Sequence, residues 1–444
     1  MRFFFALLSL ALVASSTPVW ASGDTDLDIG GQVRFRPEMK NNYNFDNDTN
    51  ADSRYTGQRI RLNIKGTNES VTSFVQIQDS RNWGSSSNVG TATEGGSIAD
   101  AATTGVAGET HGHSFSESGN SLDLYQAWFQ INDLAGAPVT LKMGRQTLVY
   151  GSQRLLGHLG WKDNARTFDG IKLSVKAGPG KIDILSVKLN EDGYAQGAEL
   201  GAADSGTFSS DQNLNGVYGM FNVAEQKIDV YYLINSTGEF FAVNTMGARV
   251  AGKTADIDYT AEYVMQGGTV AEDVTKASSA LAIEAGYNMG PTRIGFLYAM
   301  GSGDDGSDAT TDETFVFPFH TNHAHYGHMD FFSWGNMNDI ALRFKTKVME
   351  KNVIKVDYHM LSLAVAEDDW LNVVGNGAIF AGASTYEETA AGSELDITFV
   401  HPYSANMKIV AGYSMFTPGA AVEERNADKA DGASWGYVMM INNF

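Results

Sequence analysis

Apolar and polar residues alternate along most of the chain in segments of about ten residues, each followed by a turn or a loop. In Arg59-Ile60-Arg61-Leu62-Asn63-Ile64-Lys65 the apolar set is Ile60, Leu62 and Ile64, and every residue between is polar. Ala341-Leu342-Arg343-Phe344-Lys345 and Glu394-Leu395-Asp396-Ile397-Thr398-Phe399 repeat the pattern. A helix would scatter these positions around its axis, because its period is about 3.6 residues. They read as strands with one apolar face. About eighteen such segments, with sixteen as the alternative count, fall within the range of membrane barrels. They start near residues 26, 56, 70, 121, 138, 165, 181, 213, 227, 244, 255, 279, 291, 337, 352, 393, 406 and 433.

The connections choose between a barrel and a sandwich. Every second one is short and rich in turn residues: Gly66-Thr67-Asn68-Glu69, Ala177-Gly178-Pro179-Gly180, Ala224-Glu225-Gln226, Asn288-Met289-Gly290-Pro291, Met349-Glu350-Lys351-Asn352 and Ser404-Ala405-Asn406. Those between are mostly long and polar, over residues 40–54, 81–120, 191–212, 301–335 and 366–392. Short turns alternating with long loops belong to an up-and-down membrane barrel, with periplasmic turns and extracellular loops. A sandwich has no reason to keep that alternation, and a β-helix or propeller would show a fixed repeat length. The expected fold is all-β, a single transmembrane antiparallel up-and-down β-barrel over residues 22–444. Tyr43, Trp83, Trp128, Tyr150, Trp161, Tyr287 and Trp435 sit near strand ends and are expected to form the interface girdles.

Composition agrees with this. The chain has 48 Gly, 8 Pro and no Cys, a mean hydropathy of -0.21, and no run near the roughly 20 apolar residues that a membrane helix needs. Met1-Arg2, the apolar run over residues 3–13 and the small residues Val19 and Ala21 predict a signal peptide over residues 1–21, cleaved on export. The aromatic terminus Phe444 is expected to serve recognition by the outer-membrane insertion machinery. The lack of Cys excludes a disulfide framework, thiolate metal sites and a Cys nucleophile. A net charge of -21 argues against nucleic acid as a partner. No G-x-S-x-G motif occurs, so neither catalysis nor a cofactor is expected.

A charge at the lipid midplane costs about 2–4 kcal/mol, so strand cations should point into the lumen. Arg34 and Arg36 oppose Val33 and Phe35; Arg59, Arg61 and Lys65 oppose Ile60, Leu62 and Ile64. Arg166, Lys172 and Lys176 share a parity against Ile171, Leu173 and Val175, and Arg249, Arg293, Arg343, Lys345 and Lys347 follow the same logic. Such a ladder would attract anions, since guanidinium groups hold carboxylates bidentately. Alternatively, the cations pair with the inward acids Asp28, Asp229, Asp258, Glu262, Glu284, Asp357, Glu394 and Asp396. His320, His323, His325 and His328 fall in one stretch and are weak metal candidates, set against a structural loop folded into the mouth. The acidic, glycine-rich stretch 303–313 lacks the spacing of an EF-hand and reads as a solvated loop.

Two stretches resemble the alginate export family of outer-membrane barrels. One runs from Met143-Gly144-Arg145-Gln146 through Arg154-Leu155-Leu156-Gly157 and Trp161 to Asn164-Ala165-Arg166-Thr167-Phe168-Asp169-Gly170. The other is Phe317-Pro318-Phe319-His320-Thr321-Asn322-His323-Ala324-His325-Tyr326-Gly327-His328-Met329-Asp330, leading to Gly335-Asn336-Met337-Asn338-Asp339. The resemblance implies an Arg-lined lumen that passes an anionic polyuronate, with Arg145 and Arg166 in its wall or constriction. Parity agrees for Arg166. Leu141, Met143 and Arg145 share one face, so Arg145 would need a bulge or the strand's exit from the membrane.

The function expected is a porin-like outer-membrane channel of a two-membrane bacterium, for passive diffusion of hydrophilic, anionic solutes such as carboxylates or oligosaccharides. The loops over 81–120 and 301–335 are expected to fold inward and narrow it. The alternatives are a dedicated exporter of an anionic polysaccharide such as alginate, and a barrel scaffold around a periplasmic partner. The expected partners are outer-membrane lipid, the solute and the insertion machinery.

Overall fold

The computed structural model describes residues 25–83, 121–190, 211–238, 240–317, 319–321, 323–373 and 377–444. The expected signal peptide, nearly all of the 81–120 loop and most of the 191–212 loop lie outside the described residues. Eighteen strands form the wall: β1 (Asp26–Asn41), β2 (Ser53–Asn68), β3 (Val71–Asn82), β4 (Ser121–Ile131), β5 (Val139–Gln146), β6 (Phe168–Ala177), β7 (Gly180–Asn190), β8 (Gln212–Val223), β9 (Gln226–Thr237), β10 (Phe241–Thr254), β11 (Ile257–Ala271), β12 (Val274–Met289), β13 (Thr292–Gly301), β14 (Met337–Val348), β15 (Asn352–Ser362), β16 (Ala390–Pro402), β17 (Met407–Pro418) and β18 (Ala433–Asn443). Each pairs antiparallel with the next. β18 returns to β1 from Gln32↔Asn443 to Asn41↔Ser434, which closes the sheet and leaves no edge in the hydrocarbon. The expected starts agree to within three residues except for β12, expected near 279 and found at Val274.

The two faces separate by parity. Ile60, Ile171, Met246, Phe296, Leu342 and Met440 project outward and are exposed in the isolated chain, where lipid covers them. Residues of the opposite parity face in. On the periplasmic side the turns are tight: Ala224 and Glu225, with φ of 47° and 67°, make the two-residue β8–β9 turn in the doubly left-handed form that suits hairpin twist.

Two expectations about this wall need correction. Of the seven proposed girdle aromatics, only Trp83 and Tyr287 are exposed on the outside. Tyr43 packs on Phe331, and Trp161 stacks on His323; Tyr150 and Trp435 are buried inside, and Trp128 shares the inward parity of Gln126. The outer aromatics are instead residues such as Tyr232, Tyr263, Tyr358 and Tyr413. Second, residues 147–167, absent from the long loops named from the sequence, separate β5 from β6. They turn into the barrel with residues 302–336 and 363–389. These segments bring Leu148, Leu155, Leu156, Phe315, Phe319, Phe332, Trp334 and Trp370 together with inward Leu214, Leu233, Val264 and Leu297. The hydrophobic core therefore lies inside the extracellular half of the lumen.

Candidate functional site: the barrel lumen

The inward arginines of β1 and β2 meet the 147–167 loop. Arg34 donates to Gly160 O at 3.1 Å and to the Asp163 carboxylate. Arg36 donates to Trp161 O at 2.6 Å and Glu38 Oε1 at 2.5 Å, with its guanidinium 4.3 Å from the Trp161 ring centre. Arg59 donates to Gly160 O and Lys162 O, both at 3.0 Å, and to Gln32 Oε1 at 2.7 Å. All three are at most 5% exposed. Gly57 leaves room for this contact, since a Cβ there would stand 2.2 Å from Asp163 Oδ2. Arg61 spans Gln78 at 2.8 Å and the Tyr125 ring at 4.0 Å. The first rungs of the ladder thus bind the protein's own backbone.

The 147–167 loop in turn meets the 302–336 loop. Gly157 N donates to Phe319 O and Thr321 N to Gln153 O, each at 2.8 Å. Arg166, expected on β6, lies two residues before that strand, buried, and donates to His320 O at 3.0 Å. On the far wall, β16 presents two carboxylates to the 302–336 loop. Met329 N donates to Glu394 Oε1 at 2.7 Å and His328 N to Asp396 Oδ2 at 3.2 Å. Arg343 on β14 holds His325 O at 2.8 Å and Glu284 at 3.1 Å.

The four histidines do not converge on a metal site. His320 sets its two ring nitrogens against Phe317 O and Val373 O. His323 contacts both Asp330 carboxylate oxygens at 3.1 Å, and its ring lies between Trp161 at 4.1 Å and His328 at 5.0 Å. His325 reaches Ser152 O at 2.9 Å, and His328 stands 3.7 Å from Asp396. Among the described residues no group of three or more potential ligands is placed for a metal ion. Burial and the Arg166 charge push His320 down to about 4, against the pull of its two carbonyls. Burial likewise pushes His328 down to about 4, although Asp396 opposes it. Burial raises the Asp330 carboxyl, but His323, Lys40 and Lys162 together outweigh this and hold it below the usual carboxylate range.

The remaining cations divide into paired and unpaired. Arg249 binds Asp229 at 3.0 Å; Arg293 binds Asp258 at 2.6 Å and Glu284 at 3.0 Å. Arg145 needs a correction. It pairs across the sheet with Asp169, in two hydrogen bonds of 2.8 and 2.6 Å, on the parity of outward-facing Met143 and Ile171. That places it on the outer face where β5 ends. Gly144 before it has φ of 122°, but the register runs on without a bulge. Lys65, Lys172 and Lys345 face the lumen and make no ion pair among the described residues. The same holds for Lys142 and Lys355, which the sequence reading passed over although their parity was legible from outward Met143 and Tyr358. Lys142 lies 3.7 Å from the centre of the Trp128 ring.

A closed antiparallel ring, apolar outside and charged within, defines an outer-membrane β-barrel. The chain belongs to the alginate export family, whose model matches residues 25–188 and 223–435. In structure it is similar to OccK9 (OpdG) of Pseudomonas aeruginosa, with a TM-score of 0.61, 11% identity, and coverage of 94% of this chain and 98% of that one. It is similar to the outer membrane protein opdK of the same organism, with a TM-score of 0.60, 9% identity and the same coverage. A third likeness is OccK2 (OpdF) of that organism, solved in complex with glucuronate, with a TM-score of 0.56, 11% identity and again the same coverage. At such identities these likenesses speak to the fold. No curated protein sequence matches the chain.

Proposed function

We propose that the protein is a passive channel for small hydrophilic anions. The observation that carries this reading is the inward face. It bears cations on β1, β2, β5, β6, β10, β13, β14 and β15, several of them without an acidic partner among the described residues, while the chain as a whole carries a net charge of -21. An inward basic surface inside an acidic protein favours anions in the lumen over cations. Glucuronate, bound by OccK2 (OpdF), is an anion of the expected size. The reading includes export behind a signal peptide over residues 1–21 and recognition of Phe444 by the insertion machinery. It also carries the non-enzymatic role expected from the sequence.

The family's description, alginate export, favours a second reading in which a polyanion passes. Three loops packed in the extracellular half speak for short solutes, since a polymer would have to displace their buried core. Liposome swelling with glucuronate and with oligouronates of increasing length tests both. Uptake of the monomer with a sharp size cut-off supports the channel. Exclusion of the monomer refutes it, and passage without a cut-off favours the exporter.

A further inference from the structure

We infer that two lysine pairs on the periplasmic half of the wall, Lys142 with Lys172 and Lys345 with Lys355, hold the anion as it passes. The arginines of the ladder are instead engaged by loop carbonyls or by acids of the wall. This inference rests on the channel reading and assigns the groups that give it selectivity. It begins with register. Lys142 stands directly opposite Lys172 on β5 and β6, and Lys345 directly opposite Lys355 on β14 and β15. Arg293 opposes Lys345 from the other side. Like charges directly opposite each other destabilise a sheet. A carboxylate or phosphate between them removes that repulsion, so each pair is completed by an anion from solution.

Availability separates these lysines from the arginines. Arg34, Arg36 and Arg59 are buried and donate to loop carbonyls. Arg249, Arg293 and Arg343 are held by Asp229, Asp258 and Glu284. The four lysines make no ion pair among the described residues. The inward acids nearest them, Asp183 and Asp357, make no ion pair with any of the four. Asp183 accepts from Tyr150 at 2.8 Å and Ser174 at 2.6 Å, and Asp357 stands opposite Arg343.

Position supports the same conclusion. Lys142, Lys345 and Lys355 each lie three residues inside the periplasmic end of their strands, and Lys172 lies five residues inside. β14 follows β5 by nine strands in a ring of eighteen, so the pairs face each other across the lumen below the inward loops. Beside the first pair, Trp128 stacks on Phe74 with ring centres 5.1 Å apart. The Lys142 ammonium lies over the Trp128 ring, 3.7 Å from its centre, so the indole holds that cation in place beside Lys172.

The chain has no Cys, so thiol chemistry can be confined to these positions after folding and insertion. The paired variants Lys142→Cys/Lys172→Cys and Lys345→Cys/Lys355→Cys would be inserted in planar bilayers under a KCl gradient. They would then be modified with a thiosulfonate reagent that adds either a sulfonate or a trimethylammonium group, with mass spectrometry reporting completion. The sulfonate is expected to shift the reversal potential toward cation preference and to abolish current interruptions by glucuronate and by glucose 6-phosphate. Trimethylammonium is expected to restore the chloride preference. Stronger interruption by one of the two probes identifies carboxylate or phosphate as the preferred group. Unchanged selectivity after complete modification of both pairs overturns the assignment. A wild-type channel without chloride preference fails at an earlier step and removes the channel reading itself.

Discussion

Replacing Arg59 by methionine keeps much of the side chain's bulk and deletes its three hydrogen bonds, two of which go to carbonyls of the 147–167 loop. A hydrogen bond to a charged group contributes about 1.5–3 kcal/mol net. Arg34 still donates to Gly160 O at 3.1 Å, so the loss to the loop is set nearer one bond than two. At about 1.4 kcal/mol per factor of ten, the ratio of docked to undocked loop should fall by roughly 10- to 150-fold. Two assays read this. Single-channel recordings should show larger and noisier conductance states than the wild type. Trypsin added from the extracellular side should cut faster at Arg154, Lys162 or Arg166. Arg59→Lys should be intermediate, because an ammonium keeps the charge but cannot span the same acceptors with a planar fork. If Arg59→Met matches the wild type in both conductance and cleavage rate, the anchoring role assigned to the ladder is wrong.

The loop histidines predict a pH dependence. His320 and His328 are held to about 4, below the ordinary histidine value of about 6.5, so the undocked loop binds more protons between those limits. Loop packing should therefore weaken as pH falls from about 6.5 to about 4, seen as rising open-state noise, and His320→Gln with His328→Gln should reduce that slope and leave the part due to His325, which burial also holds well below the ordinary value. The lowered Asp330 carboxyl acts in the same direction, and the charges of Asp396, His323, His359 and Asp330 all face His328. At the rim, Arg145→Ala should leave ion selectivity unchanged, and a double-mutant cycle with Asp169→Ala should give only about 0.2–1 kcal/mol, as for an exposed pair. A marked selectivity change on Arg145→Ala would return that residue to the lumen.

The wall was legible because a strand with one face in lipid must alternate with period two, and Ile60, Leu342 and Ile397 mark that period without help from neighbours. Parity also placed Arg34, Arg59 and Arg343 inward, and it was a better guide to Arg145 than the family resemblance. The loop partners of Arg34 and Arg59 were not legible, whereas the acids that hold Arg249, Arg293 and Arg343 are among those that parity named. Whether Arg59 meets solute or Gly160 O depends on where a loop of another part of the chain comes to rest, and no local pattern encodes that. The inward packing of the 147–167 loop was not legible, because Leu148, Tyr150, Leu155 and Leu156 show apolar character but not what covers them. They are apolar because they are buried inside the barrel. The same cause misled the reading of the aromatics. Trp161 and Trp435 were assigned to a lipid interface that lies outside the wall, whereas they pack within it.

The seam between β1 and β18 has a consequence for assembly. Every other strand pairs with its neighbour in sequence, but Arg34 finds Ile441, and Gly31 N donates to Phe444 O at 2.8 Å. This contact spans nearly the whole chain, so it has the highest loop-closure entropy of any in the wall and should form last. Until it does, two rows of unpaired amides and carbonyls face a hydrocarbon phase that offers them no water. The half-built barrel is thus the most exposed species in the protein's history. Registration of β18 against β1 satisfies both rows at once and ends that exposure.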